Sequence, residues 1–361
     1  MHPYRQFVSE HARLWRDGHA LPLGGFAPLP RPGLAPDAPR ALLFSPHPDD
    51  ECLIGALPLR LLRQAGMRVI NVAVTQGSNK ARQAERWREL QAACEFIGFD
   101  LLPTAPNGLE KINPTTRQDD PGHWRAAVAV IAELLRAQRP AVIFFPHEHD
   151  WNSTHIGTHW LVMDALRALG GDFACFLVET EFWGAMDDPN LLVESSEDDV
   201  ADLIAALTFH VGEVRRNPYH LVFPAWLQDN VRRGGELVGG QGGAPPDFCF
   251  ATLYRLRRWA TGRVERVLER GTFLSAGEPP AKLFASAPRP VIGRLETRDY
   301  HITIKAGPVG PVYHVATKDG QVLVNDLMLE QIKTQAPSLY DLLKSSLAGG
   351  GAAGGFLDAR L

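Results

Sequence analysis

Cysteine is scarce in this chain. There are four in 361 residues, Cys52, Cys94, Cys175 and Cys249, and no two have C-x-x-C spacing. They lie in apolar or helical surroundings, so they read as small core residues in a reducing compartment, and no disulfide framework is expected. Long apolar runs are also missing, and none approaches the ~20 residues of a membrane span. Neither sign of charge dominates, with 37 Lys+Arg against 41 Asp+Glu and a net charge of −4. No basic run is large enough to cover a face, so neither nucleic acid nor an anionic membrane is an expected partner. The Gly-rich stretch within 230–259 contains no GxxxxGK[ST] or GxGxxG pattern after a strand, which removes the nucleotide-cradle reading. Its glycines read instead as tight turns or close backbone approaches. The first 25 residues are too charged for a secretory apolar region, and the cytoplasm is the expected location.

What remains is an alternation of short apolar runs and amphipathic segments. "RALLFSP" (40–46), "MRVINVAVT" (67–75), "AVIFFP" (141–146) and "DFACFLVETEFW" (172–183) read as buried strands. Residues 51–66, 81–99 and 123–140 have helical spacing, and Pro58 is expected to kink the first of these helices. Strands alternating with helices of this length predict an α/β fold with a doubly wound, mainly parallel sheet. In such sheets ligands bind beyond the carboxyl ends of the strands. From about residue 275 the texture changes to a linker, then short alternating strands and a helix, which predicts a small β-meander plus helix module. No internal repeat is present.

Two segments directly after strands carry the chemistry. The first is "SPHPDDE" (45–51), with His47 and the adjacent Asp49 and Asp50. A plain reading makes these aspartates a helix cap and first turn. The sharper reading is a metal site with two differently employed carboxylates. The second segment is "HEHDWNSTHIGTH" (147–159), which holds four of the thirteen histidines: His147, His149, His155 and His159. His155 and His159 have the i,i+4 spacing of zinc helices, but the Glu of H-E-x-x-H is absent. Together the two segments supply enough imidazole and carboxylate for a three-ligand catalytic zinc site.

With "TQGSNK" after the second strand, "RWRELQAACEFIGF" on the next helix and "DWNSTHIGTHWLV" after the later strand, the chain resembles the PIG-L/LmbE-like metal-dependent N-deacetylases over roughly residues 40–260. The resemblance implies a Rossmann-like fold and removal of an N-acetyl group from an amino sugar or sugar-like conjugate by metal-activated water. It implies His47, Asp50 and His155 as metal ligands and Asp49 as general base. Zinc is the implied metal, although a His-His-carboxylate set with open positions also suits iron. Where the family has a His-Pro-Asp-His tetrapeptide, this chain reads Asn152-Ser153-Thr154-His155. An amide at 152 donates a hydrogen bond to an oxyanion but delivers no proton. That departure carries the alternative reading, a catalytically impaired metal-containing ligand-binding protein of the same fold.

The implied organisation is a Pro/Gly-rich lead-in (1–39), a deacetylase domain (40–265), a linker (266–295), a small α+β module (296–346) and a Gly-rich tail (347–361). Arg86 and Asn107 match positions that touch the sugar. As plain surface features they would be a helix residue paired with Glu89 and a turn residue. His147 and His149 face either the site or solvent, and Asp150 either orients the ligand segment or caps a helix. His159 reads as a helix-face residue. Glu179, Glu181 and Trp183 follow a strand towards the same edge, where they suit a sugar or a core. The expected partner is a small N-acetylated sugar substrate.

Overall fold

The computed structural model describes residues 2–284, 291–306 and 310–348. The chain divides into two compact units, 1–285 and 286–361. In the first, helix α1 (Tyr4–Gly18) precedes an extended stretch, then β1 (Arg40–Ser45), α2 (Asp50–Leu53), α3 (Leu57–Ala65), β2 (Arg68–Ala73), α4 (Gln83–Ile97) and β3 (Asp100–Pro103). Next come α5 (Pro114–Asp119), α6 (Pro121–Gln138), β4 (Val142–Pro146), α7 (Ser153–Leu169), β5 (Cys175–Thr180) and β6 (Leu191–Glu194). The unit is completed by α8 (Glu197–Leu207), α9 (Val211–Arg216), α10 (Tyr219–Leu237), β7 (Ala251–Ala260), β8 (Arg263–Arg266) and β9 (Thr272–Leu274).

Among the described residues these strands form one nine-stranded, mostly parallel sheet in the order β3-β2-β1-β4-β5-β7-β6-β9, with β8 on β7. β7 runs antiparallel to its neighbours β5, β6 and β8. The sheet is the doubly wound α/β arrangement that the alternating pattern predicts. Its strands are continuous apolar runs because both faces are covered. Leu43 and Phe144 pack on one face with α3, α4, α8 and α10, while Leu42, Phe44, Ile143 and Phe145 pack on the other with α6 and α7. The chain turns outward in opposite directions from β1 and β4, which are parallel neighbours with Leu42 level with Ile143. Such a reversal opens a crevice at the strands' carboxyl ends.

Three sequence expectations are corrected. The helix expected over 51–66 is two helices, α2 and α3, separated by Gly55 at φ +87°. A side chain at residue 55 would overlap Thr252 Oγ1 and the Tyr254 hydroxyl. Pro58 then falls in the first turn of α3, where its missing N–H costs nothing, so no kink is needed. Cys52, Cys94 and Cys175 are buried as expected, but Cys249 is exposed, because it lies in the Gly/Pro-rich loop before β7 and not in an apolar element. Finally, Tyr4–Gly18 is helical; its apolar residues, among them Phe7 and Leu14, are exposed.

The second unit contains β10 (Val291–Glu296), β11 (Tyr300–Ala306), β12 (Pro311–Thr317), β13 (Val322–Met328), α11 (Leu329–Gln335) and α12 (Pro337–Ala348). It is an antiparallel meander in sequential order, with its own core of Ile302, Tyr313, Val315, Val324, Ile332, Leu339 and Leu343. β10 is an additional strand that its sequence did not signal. Of the expected linker (266–295), residues 285–290 lie outside the described residues, as do residues 349–361 of the expected Gly-rich tail (347–361).

Candidate metal centre and active site

The loops after β1 and β4 meet at the crevice. His47 Nδ1 lies 3.2 Å from His155 Nε2, and Asp50 Oδ2 lies 3.5 Å from the first and 3.3 Å from the second. Donor atoms around a four-coordinate metal with bonds of about 2.1 Å lie about 3.4 Å apart. The three side chains therefore fit a metal without rearrangement, and two imidazole nitrogens have little other reason to face each other so closely.

Each ligand is held by its element. Asp50 opens α2, and its Oδ2 accepts the main-chain N–H of His47 at 2.8 Å. His155 sits in the first turn of α7 and is fully buried. Its Nδ1 is 3.6 Å from Asp150 Oδ1, so a carboxylate stands behind the imidazole and favours the tautomer that presents Nε2. Burial opposes ionisation of Asp50, but the neighbouring His155 and His47 outweigh it and hold Asp50 below the usual carboxylate range. Burial alone would lower His155, yet Asp50 and Asp150 reverse this and push it up to about 10. The pocket is thus built for a positive charge.

Asp49 has a different environment. Its backbone adopts φ +118°, a costly value for a residue with a Cβ. The conformation is held by Glu51, whose Oε2 accepts the Asp49 N–H at 3.0 Å, while Glu51 Oε1 meets His210 Nε2 at 2.7 Å in a fully buried pair. The Tyr219 hydroxyl donates to Asp49 Oδ2 at 2.6 Å, and Arg86 Nη2 is 3.9 Å from Oδ1. Burial raises the Asp49 pKa, and the charge of Asp50 adds to the effect; His210, Arg86 and Tyr219 work against it, and the net direction is upward. Two adjacent aspartates consequently differ in proton affinity, as separate ligand and base roles require.

These groups open on a cleft of about 620 Å³ lined by His47, Asp49, Asp50, Arg86, Asn152 and Trp183, and also by Lys80, Lys111, Glu213 and Arg216. Asn152 is the N-cap of α7, and its Oδ1 accepts the Thr154 N–H at 2.8 Å. The cap does not use its NH₂, which stays available as a donor. Arg86 is a cleft wall and not a surface residue: it donates to the Pro48 carbonyl at 2.9 Å and lies beside Glu213.

Other expected residues lie elsewhere. Asn107 is exposed in its turn and does not line the cleft. His149 is exposed, and its main-chain N–H donates to His147 Nδ1 at 3.3 Å. His147 is buried and bound through Nε2 to the Gly184 carbonyl at 2.8 Å. His159 bonds the Pro146 carbonyl at 3.0 Å on the buried face of α7. Glu179 is buried between Arg255 and Arg257. Sequence reading missed Tyr219, Glu51 and His210 as supports of Asp49. Only Glu51 carried a signal, as the last letter of "HPDDE"; the other two join the site through packing between distant segments.

Residues 42–166 match the family model described as PIG-L: GlcNAc-PI de-N-acetylase. No curated protein matches the sequence. Similar solved structures include an N,N'-diacetylchitobiose deacetylase from Pyrococcus horikoshii, at 16% identity and TM-score 0.45 over 71% of this chain and 93% of that one. The A40926 pseudoaglycone deacetylase Dbv21 aligns at 16% identity and TM-score 0.46 over 62% and 99%. GalB, the 4-carboxy-2-hydroxymuconate hydratase from Pseudomonas putida KT2440, aligns at 15% identity and TM-score 0.43 over 60% and 95%.

Proposed function

We propose, from the match of residues 42–166 to the PIG-L family model, that it is a metal-dependent hydrolase that removes an N-acetyl group from an amino sugar or sugar-like conjugate. The observation that carries this reading is the pairing of a three-donor metal group, His47, Asp50 and His155, with a second carboxylate, Asp49, that stands outside it. When bound, a divalent ion supplies Lewis-acid polarisation of a carbonyl and makes water acidic enough to react near neutral pH. Zinc is the proposed ion and iron the alternative, distinguished by elemental analysis of the purified protein.

The side chains divide the remaining work. Asp49 accepts the proton of the attacking water and returns it to the leaving amine, a shuttle favoured by its raised proton affinity. Tyr219 fixes one carboxylate oxygen of Asp49 and leaves the other to act. The Asn152 NH₂ donates to the carbonyl oxygen as negative charge builds there. Arg86 and Trp183 form walls against which a sugar is positioned. Four free cysteines support the cytoplasm as its compartment.

Amine release from a panel of N-acetylated sugars tests the proposal, measured before chelation, after it, and after zinc is restored. Loss and recovery of amine release is the expected result. Retention of one metal per chain with no amine from any sugar would favour the ligand-binding alternative, for which the amide at 152 is the motivating observation.

A further inference from the structure

Asp49 stands at φ +118°, ψ −24°, a left-handed backbone that residues with a Cβ rarely adopt. Such a conformation costs of order 1–3 kcal/mol and persists only where its surroundings impose it. Followed outward from Asp49, the contacts that impose it end in one short segment of the chain, 210–219.

Three side chains of this segment reach Asp49 by separate routes. His210 acts on the backbone: its Nε2 meets Glu51 Oε1 at 2.7 Å, and Glu51 Oε2 accepts the Asp49 N–H at 3.0 Å. Glu213 acts on one carboxylate oxygen through Arg86, whose Nε is 3.8 Å from Glu213 Oε1 and whose Nη2 is 3.9 Å from Asp49 Oδ1. Tyr219 acts on the other oxygen, as its hydroxyl donates to Oδ2 at 2.6 Å. The segment is itself anchored at α4. The Gly212 N–H donates to Glu89 Oε1 at 2.9 Å, and Arg82 Nη1 donates to Glu213 Oε1 at 2.8 Å. The backbone and both oxygens of Asp49 are thus set from a distant part of the chain.

Glu213 and Tyr219 have further contacts, whereas the His210 ring serves one group. It is fully buried, is not part of the cleft wall, and leaves Nδ1 without a hydrogen-bond partner among the described residues. A buried ring with an unpaired nitrogen is poor packing material, and an apolar side chain would fill the space without that penalty. Glu51 is likewise fully buried and uses both oxygens in this link, with the Cys52 thiol also donating to Oε1 at 3.2 Å. We propose that His210 is a positioning residue for the proton-transferring base. Through Glu51 it holds the Asp49 backbone in the conformation that keeps the Asp49 carboxylate apart from the three-donor group completed by its neighbour Asp50. The proposal rests on the deacetylase reading, because that reading gives Asp49 a proton to move.

The test compares His210→Gln with His210→Asn in the zinc-loaded full chain. Both remove the imidazole and its charge, and they differ in reach. The Gln amide carries an N–H as far from Cβ as Nε2 is, whereas the Asn amide stops one bond short of Glu51. The substrate is the N-acetylated sugar from which wild type releases amine fastest. His210→Gln should stay near the wild-type kcat, and His210→Asn should lose about 10²-fold in kcat with KM and zinc affinity unchanged. Equal kcat in the two variants overturns the proposal. So does a joint loss of kcat, substrate binding and zinc affinity in His210→Asn, which marks a general loosening of the site. If His210→Asn does not fold, His210→Leu, which fills the space without a polar group, replaces it with the same expected outcome. Amide exchange at Asp49 reads the link with no substrate present: protected in wild type and His210→Gln, released in His210→Asn. A wild type that releases no amine, with exchange still differing between the variants, sinks the deacetylase and keeps the positioning link. Amine release in wild type with equal kcat and equal exchange in both variants does the reverse.

Discussion

Asp49 and Asp50 are neighbours in sequence with the same side chain, and their partners alone separate them. Asp50 faces two imidazoles, whereas Asp49 faces a phenol and a distant guanidinium. Substitution should therefore split their effects. Asp50→Asn is expected to lose the metal, and Asp49→Asn to keep it while amine release falls by about 10²–10⁴-fold; metal content and turnover measured on the same preparations check this. Equal metal loss in both would dissolve the distinction. Asn152 allows a finer separation, because its oxygen caps α7 while the residue lines the cleft and its NH₂ is not used in the cap. Asn152→Asp keeps the cap and removes the donor, so stability should hold while kcat drops on the order of 10²-fold. Asn152→Ala removes both and should additionally cost ~1 kcal/mol in urea denaturation. A fully active Asn152→Asp enzyme would refute the oxyanion role.

At the scale of elements, the pairing of β5 with β7 places Glu179 opposite Arg255, both buried, with Glu148 and Arg257 completing the cluster. Removing one partner leaves charge without compensation, so Arg255→Met is expected to destabilise the fold by ~3–5 kcal/mol in urea denaturation. The cluster also has a pH signature. Burial acts to raise Glu148, but its own backbone N–H and Arg255 bring it down to about 2. A depressed carboxylate stabilises the fold above its unfolded pKa, near 4.5, and that contribution is lost as pH falls from there towards 2. The acid limb of stability should accordingly flatten in Arg255→Met; an unchanged limb would remove Glu148 from the account. This cluster was illegible in the sequence, where "ETEFW" and "YRLRRW" are simply charged strand ends. Ion pairs across strands depend on register, which local pattern does not set. The loops after β1 and β4 were legible because each follows an unbroken apolar run and carries residue types with few uses at a strand end. The break at Gly55 was not, since its cause is the distant Thr252 and Tyr254.

For the molecule as a whole, the doubly wound topology brings together residues 108 apart, His47 and His155, at the point where the chain reverses direction. Bringing them together has an electrostatic consequence. Asp50 and Asp150 both lie below the usual carboxylate range, although burial opposes this in each, and both face His155. Folding thus concentrates negative charge in a buried pocket, and a cation bound there favours the folded state over a chain in which the ligands are dispersed. At a free metal concentration a hundredfold above Kd the gain is about 2.7 kcal/mol. For a unit of this size that amounts to a rise on the order of 5 °C in thermal midpoint. Chelated protein should unfold at correspondingly lower temperature in a calorimetric scan and recover when zinc is restored, while Asp50→Asn should fail to respond to zinc. Hydrogen exchange locates the effect: protection lost on chelation should concentrate in 46–53 and 150–158, the two segments that end their strands at the shared edge. A midpoint indifferent to metal, or deprotection elsewhere in the sheet, would mean that these three side chains do not hold the ion, and the base at Asp49 would lose its chemical partner with them.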